Sequence, residues 1–110
     1  MVKMVPSRRF TLVYDPEVKS HLKAIERRYY SLIRATIESE LLWEPDRETR
    51  NRKPLRRPVA FEAEWELRFG PDNQFRVFYE IDRDRRIVYI LAIGVKEGTR
   101  LFIGGEDVGL

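Results

Sequence analysis

The sequence lacks cysteine and contains a single histidine, His21, among its 110 residues. Without cysteine, neither a disulfide framework nor a thiolate metal site can form, and this absence is typical of proteins from a reducing cytosol. One histidine beside Leu22 in a helical pattern is too little for a metal site. We therefore expect His21 to be partly exposed with a structural role, and the protein to need no metal and no small-molecule cofactor.

Long apolar segments are absent too. The longest runs from Ile87 to Ile93, far short of the roughly 20 residues that a membrane helix requires. The N-terminus has no apolar core resembling a signal peptide, and Gly104-Gly105 lacks the lysine and following helix of a phosphate loop. These absences predict a soluble, cytoplasmic protein that does not bind a membrane. Its length allows one modest core, so we expect a single domain over residues 1–110.

Charged residues of both signs make up 35% of the chain, with a net charge of +3. The segment between Pro45 and Pro58 is the most basic part. It carries Arg47, Arg50, Arg52, Lys53, Arg56 and Arg57 against Asp46 and Glu48. Because arginine grips phosphate in bidentate fashion, this segment could contact a nucleic acid. The alternative is a solvated loop whose charges keep the protein soluble.

The first half of the chain has a helical pattern. Asp15-Pro16-Glu17 combines an N-cap, a proline at the first helical position and an acid in the first turn. Apolar residues then recur at helical spacing: Val18, Leu22, Ile25, Tyr29, Ile33, Ile37 and Leu41. With Ser31 available as a second N-cap, we favour a hairpin of two helices over one long helix.

Strands are predicted where apolar and polar residues alternate. They cover residues 10–14, Phe61 to Phe69, Phe75 to Asp82 and Ile87 to Gly94, and the last is apolar on both faces. This order predicts an α+β fold of two layers, an antiparallel sheet with the helix hairpin on one face. The expected core contains Trp65, Leu67, Val77, Tyr79, Tyr89, Leu91 and Ile93 packed against Val18, Leu22, Ile25, Ile33 and Ile37.

Four segments together resemble the RelE/ParE superfamily of toxins from type II toxin-antitoxin systems. They are Lys53-Pro54-Leu55, Trp65-Glu66-Leu67-Arg68, Phe75 to Asp82, and Ile90 to Lys96. The resemblance covers the whole chain and implies the element order β-α-α-β-β-β-β, with Arg100 to Ile103 as a fifth strand beside the first. It also implies a cognate antitoxin protein as partner.

The superfamily contains two kinds of activity. Members that resemble RelE cut messenger RNA in the ribosomal A site, whereas members that resemble ParE poison DNA gyrase. The resemblance to the nucleases places Arg76 and Lys96 where those enzymes hold phosphate. Glu64 and Glu66 stand where the nucleases have a basic pair, and Phe102 stands where they have a tyrosine or histidine.

Cleavage of RNA by its own 2′-hydroxyl needs a general base and cations that stabilise the charged intermediate. We hypothesise that Glu66 or Glu64 is the base and that Arg76 and Lys96 grip the scissile phosphate. The predicted RNA-binding residues are Arg52, Lys53, Arg56, Arg57, Arg68 and Phe78, the last by stacking on a base. The alternative for Glu66 is a plain surface pair with Arg76 across the sheet.

Three functions remain open at this point. The first is a ribosome-dependent mRNA endoribonuclease that inhibits translation, with the ribosome and mRNA as partners. The second is a poison of DNA gyrase without nuclease activity. The third is an inactive toxin-like protein that binds an antitoxin as a regulator.

Overall fold

The computed structural model describes residues 9–56 and 62–109. Its helices and strands, in chain order, are β1 (Thr11–Tyr14), α1 (Val18–Lys23), α2 (Tyr30–Leu41), β2 (Arg52–Pro54), β3 (Trp65–Phe69), β4 (Phe75–Asp82), β5 (Ile87–Glu97), β6 (Arg100–Ile103) and β7 (Glu106–Asp107). The predicted α+β order is present, with β2 and β7 as additional short strands. The predicted strand start at Phe61, and Arg57 of the basic segment, lie outside the described residues.

The helical region has two parts, as predicted, but the junction differs. The Asp15 carboxylate accepts a hydrogen bond from the backbone N–H of Glu17, which is the capping role expected of it. The chain leaves helical geometry at Glu26 (φ −59°, ψ 135°) and re-enters it through a 3-10 turn at Arg27–Tyr29. Ser31 therefore lies inside α2, and the prediction that it caps the second helix is wrong.

The sheet is antiparallel in the order β2-β3-β4-β5-β6-β7, and β1 pairs with β5 in parallel. Strand β1 pairs with Ile87–Ile90 of β5, and β6 pairs with Gly94–Glu97. Since β4 occupies the other edge of β5, β1 and β6 follow one another along the same edge. The strand at Arg100–Ile103 is therefore hydrogen-bonded to β5, whereas the resemblance had placed it beside the first strand.

The main core lies between the helices and one face of the sheet. Its buried members are Phe10, Val18, Ile25, Ile33, Ile37, Leu41, Trp65, Leu67, Phe69, Phe75, Val77, Tyr79, Val88, Ile90 and Ile93. The rings of Trp65 and Tyr79 stack with centroids 6.1 Å apart. Apolar burial of this kind is the largest favourable term in folding.

A β-bulge in β5 corrects part of the predicted core. Phe78 pairs with Ala92 and Tyr79 with Ile90, so Leu91 is an extra residue without a partner on β4. The alternation changes face at this point, and Ile90 and Ile93 both point to the helices. Leu91 instead packs against a second apolar cluster on the opposite face, and Tyr89 is only half-buried beside Glu80. The prediction that Tyr89 and Leu91 meet the helices is wrong.

No helix within residues 9–56 and 62–109 has the length and apolar character to cross a membrane.

Candidate functional site

The face of the sheet away from the helices contains two arginines directly opposite each other. Arg68 on β3 pairs in register with Arg76 on β4, a juxtaposition of like charges that destabilises a sheet. Glu66 lies between them. Its Oε1 accepts a hydrogen bond from Arg68 Nε at 2.6 Å, and its Oε2 forms an ion pair of 3.5 Å with Arg76 Nη1. One carboxylate therefore compensates two guanidinium groups.

These charges differ in their access to solvent. Glu66 is 5% exposed and Arg76 is 7% exposed, while the side chain of Arg68 is 40% exposed. Arg76 Nε also donates to the carbonyl of Asn73 at 3.0 Å, which ties Arg76 to the β3–β4 turn. Burial lowers the pKa of Arg76, and the charge of Glu66 opposes this effect. Arginine stays protonated under such a shift.

Lys96 lies on the same face as this pair. Arg76 is paired with Gly94 of β5, and Lys96 follows two residues later on the same side of the strand. A Cβ at Gly94 would come within 2.9 Å of the Ile103 side chain and the Phe102 carbonyl. Gly94 therefore permits β6 to approach closely, and it leaves no side chain between Arg76 and Lys96.

Lys53 completes this group from the edge strand β2, where it is exposed and paired in register with Glu66. We call the set Lys53, Glu66, Arg68, Arg76 and Lys96 the cationic face. Its four basic side chains surround one carboxylate, so the face carries net positive charge and can attract an anionic partner.

The structure places Arg52 away from the cationic face. It points to the helix side, is buried, and donates from Nη1 to the carbonyls of Glu40 at 2.6 Å and Glu44 at 3.0 Å. Those carbonyls belong to the C-terminal end of α2, where helices have unpaired acceptors and a partial negative charge. Arg52 is therefore a cap for α2, and this geometry corrects its predicted position as an RNA contact.

Glu64 and Phe78 are also placed differently from the hypothesis. Glu64 is exposed, and its Oε1 accepts from the backbone N–H of Ile81 at 3.4 Å, five positions along β4 from Arg76. Phe78 is 2% exposed, inside the second apolar cluster. In this conformation Glu64 does not meet Arg76 and the ring of Phe78 cannot stack on a base. Arg56 is exposed just beyond β2.

The comparisons with known proteins now identify the family. A model of the family "ParE toxin of type II toxin-antitoxin system, parDE" matches residues 12–97. The chain belongs to this family. The RelE/ParE resemblance of the sequence is thereby confirmed, and the protein is a toxin of a type II toxin-antitoxin system.

A solved structure supports the same conclusion for the fold. The chain is similar to one in the crystal structure of the toxin-antitoxin complex RelBE2 from Mycobacterium tuberculosis, with a TM-score of 0.64 and 26% sequence identity. The alignment covers 86% of this chain and 95% of that one. The predicted RelE-like α+β fold is therefore confirmed. None of the curated proteins compared with the chain matches it.

The toxin also contains a buried histidine that the sequence did not reveal as such. His21 Nδ1 accepts a hydrogen bond from the backbone N–H of Ile93 at 3.3 Å, at the point on the edge of β5 where β1 has ended and β6 has not begun. Burial lowers the pKa of His21, and the charges of Glu17 and Asp15 oppose this shift. His21 is thus buried rather than partly exposed, and it supplies a missing partner for the sheet.

Metal-binding chemistry has no support in the described part of the toxin. Within residues 9–56 and 62–109, no three or more His, Asp or Glu side chains come together in a group that could hold a metal ion. The chemistry of the cationic face therefore has to be derived from its own side chains.

Proposed function

We propose that this toxin inhibits its target by binding, in the manner of a ParE-like poison of DNA gyrase, and that it does not cut RNA. The observation that carries the proposal is the state of Glu66. A general base must be free to take the proton of a 2′-hydroxyl within hydrogen-bond reach. Glu66 is buried, and each of its oxygens already faces an arginine.

The exposed parts of the cationic face suit a binding function. Lys53 and the end of Arg68 are open to solvent, and Arg76 and Lys96 lie behind them on neighbouring strands. Fixed guanidinium groups hold phosphates or carboxylates without chemical change. A complex of gyrase with DNA offers such anionic groups, and the rigid pairing within the sheet keeps the arginines in place for it.

We also propose a cognate antitoxin as the partner that restrains the toxin. The similar structure is that of a toxin-antitoxin complex, RelBE2. With 26% identity over 86% of this chain, the likeness extends to most surfaces on which such a partner could dock.

A ribosome-dependent mRNA endoribonuclease is the second candidate. It is favoured by the common face of Arg68, Arg76 and Lys96, which could grip a scissile phosphate. Because Glu66 is engaged and Glu64 lies elsewhere, this function would require Glu66 to leave at least one arginine when RNA binds.

One induction experiment separates the candidates. The wild-type toxin and the variants Arg68→Gln and Arg83→Gln are expressed in bacteria, and codon-phased mRNA ends, the SOS response and gyrase-linked DNA breaks are followed. Arg83 is a suitable control, since it is an exposed arginine paired with Asp46 outside the cationic face. We expect DNA breaks and an SOS response with intact message for the wild type and Arg83→Gln, and a clear loss for Arg68→Gln.

Two results would contradict the proposal. Cuts in the ribosomal A site that disappear in Arg68→Gln would establish the nuclease instead. Growth without any toxicity from the folded wild-type protein would establish the inactive, antitoxin-binding regulator.

A further inference from the structure

A cavity of about 320 Å³ lies on the helix side of the sheet, opposite the cationic face. It is bounded by the connection between α1 and α2 and by the ends of β4, β5 and β6. Its wall includes the carboxylates of Glu26 and Glu97 and the aromatic rings of Tyr29, Phe75 and Phe102. Its volume lies within the range of cavities that take small ligands or single side chains.

The charge of this cavity is opposite to that of the cationic face. None of the described residues that line it is a lysine or arginine, and the buried His21 on its wall has a lowered pKa. Glu97 is exposed and has no ion-pair partner within residues 9–56 and 62–109. Carboxylates beside aromatic rings provide the two features that bind an organic cation, a counter-charge and a π face.

The toxin itself shows a guanidinium bound by two of these wall residues. Arg28 Nε lies 3.0 Å from Glu26 Oε2, and the Arg28 guanidinium carbon lies 4.8 Å from the centre of the Tyr29 ring. The Arg28 and Glu26 side chains are 69% and 68% exposed. Ion pairs with this exposure contribute little, about 0 to 1 kcal/mol, so the pair can open for a competing cation.

We propose that this cavity binds an arginine side chain of a partner protein. The guanidinium would lie between the Glu26 and Glu97 carboxylates and against the rings of Tyr29 and Phe102. Arginine is the side chain for which the structure itself shows the contacts, through Arg28. This proposal is independent of the proposed function, because the cavity and the cationic face lie on opposite sides of the sheet.

The test uses purified toxin and a matched pair of small probes. Acetyl-arginine amide and acetyl-citrulline amide have nearly the same shape, but only the first is charged. Both are titrated into 15N-labelled toxin, and amide shifts are followed by NMR. We expect saturable shifts with the arginine probe at residues 24–29 and 93–105, and at least threefold weaker binding of the citrulline probe.

The variant Glu97→Gln tests the carboxylate, with Glu48→Gln as an exposed control outside the cavity wall. We expect Glu97→Gln to weaken arginine binding at least threefold while its melting temperature stays within error of the control. Equal shifts with both probes, shifts confined to the cationic face, or equal binding by the two variants would each overturn the proposal.

Discussion

The helix-covered face of the sheet and the cationic face both bury polar side chains, but they partner them differently. On the helix side, a side chain meets a backbone group: His21 accepts from Ile93, Arg52 donates to Glu40 and Glu44, and Tyr79 donates to the carbonyl of Pro45 at 2.9 Å. On the cationic face, charged side chains meet one another around Glu66.

This difference separates structural from interacting surfaces. A polar group that satisfies the backbone is tied to the fold and has little capacity left for a ligand. A cluster of charged side chains with excess positive charge keeps donors that can turn to a partner. Arg52 and Arg76 illustrate the contrast, because they are buried to a similar extent and occupy opposite sides of the sheet.

The largest expected effect is on the helix side. Trp65→Ala removes a ring that is 8% exposed and stacked on Tyr79, so we expect a loss of about 3 to 5 kcal/mol in the free energy of unfolding. The control is Trp43→Ala, since Trp43 is 47% exposed and should cost less than about 0.5 kcal/mol. Urea unfolding measures both. Similar losses for the two tryptophans would contradict the core assignment.

On the cationic face, Glu66→Gln should cost less than the tryptophan change but more than a surface substitution. It leaves Arg68 opposite Arg76 without a counter-charge, and we expect a loss of about 2 to 3 kcal/mol. Part of this loss should be recovered in 1 M salt, because salt screens the repulsion of the half-exposed Arg68. The exposed Glu64→Gln is the control. A loss independent of salt would mean that Glu66 acts through packing rather than charge.

Back on the helix side, Arg52→Met should cost about 1 to 2 kcal/mol, because two carbonyls at the end of α2 lose their donor. The exposed Arg50→Met serves as control within the same basic segment. Amide exchange would show faster opening of the last turn of α2 in the Arg52 variant alone. Equal exchange in both variants would remove the capping role.

The sequence predicted the layers and the helix and strand order because these depend on local periodicity and capping. Apolar residues at spacings of four and three place Ile33 and Ile37 in the core, and alternation places Leu67 and Val77 there. The bulge at Leu91 was not predictable by alternation, since a strictly regular strand would put Leu91 on the same face as Ile93.

Candidate site residues were harder to predict because their surroundings depend on long-range register. Glu66, Arg68 and Arg76 share a face for any even register, and the sequence predicted that much. It could not predict that Arg68 and Arg76 are directly opposite, which makes Glu66 a bridge. Arg52 lies one residue from Lys53, and only the pairing of β2 with β3 decides which of them faces the helices.

The smallest expected effect is the pH dependence of stability through His21. Its folded pKa is lowered mainly by burial, so the unfolded chain, with a histidine pKa near about 6.5, binds more protons in between. The stabilising effect of a neutral His21 is therefore complete above about pH 7 and is lost as the pH falls through about 6.5 toward the folded pKa.

The groups around His21 limit the size of this effect. Glu17 and Asp15 favour the protonated form, and Glu26 and Glu97 line the same cavity wall. Their attraction should keep the loss below the ceiling of about 1.4 kcal/mol for each unit of pKa shift.

Urea unfolding between pH 8 and pH 5 tests the role of His21 against a variant that does not titrate. The side-chain oxygen of His21→Asn can still accept from the Ile93 N–H, so the variant keeps the contact while removing the titration. We expect the stability of the wild type to fall relative to His21→Asn below pH 6.5, with a constant difference above pH 7. Parallel curves over the whole range would mean that His21 does not change its charge on unfolding, because each protonation difference between folded and unfolded states must appear as a slope with pH.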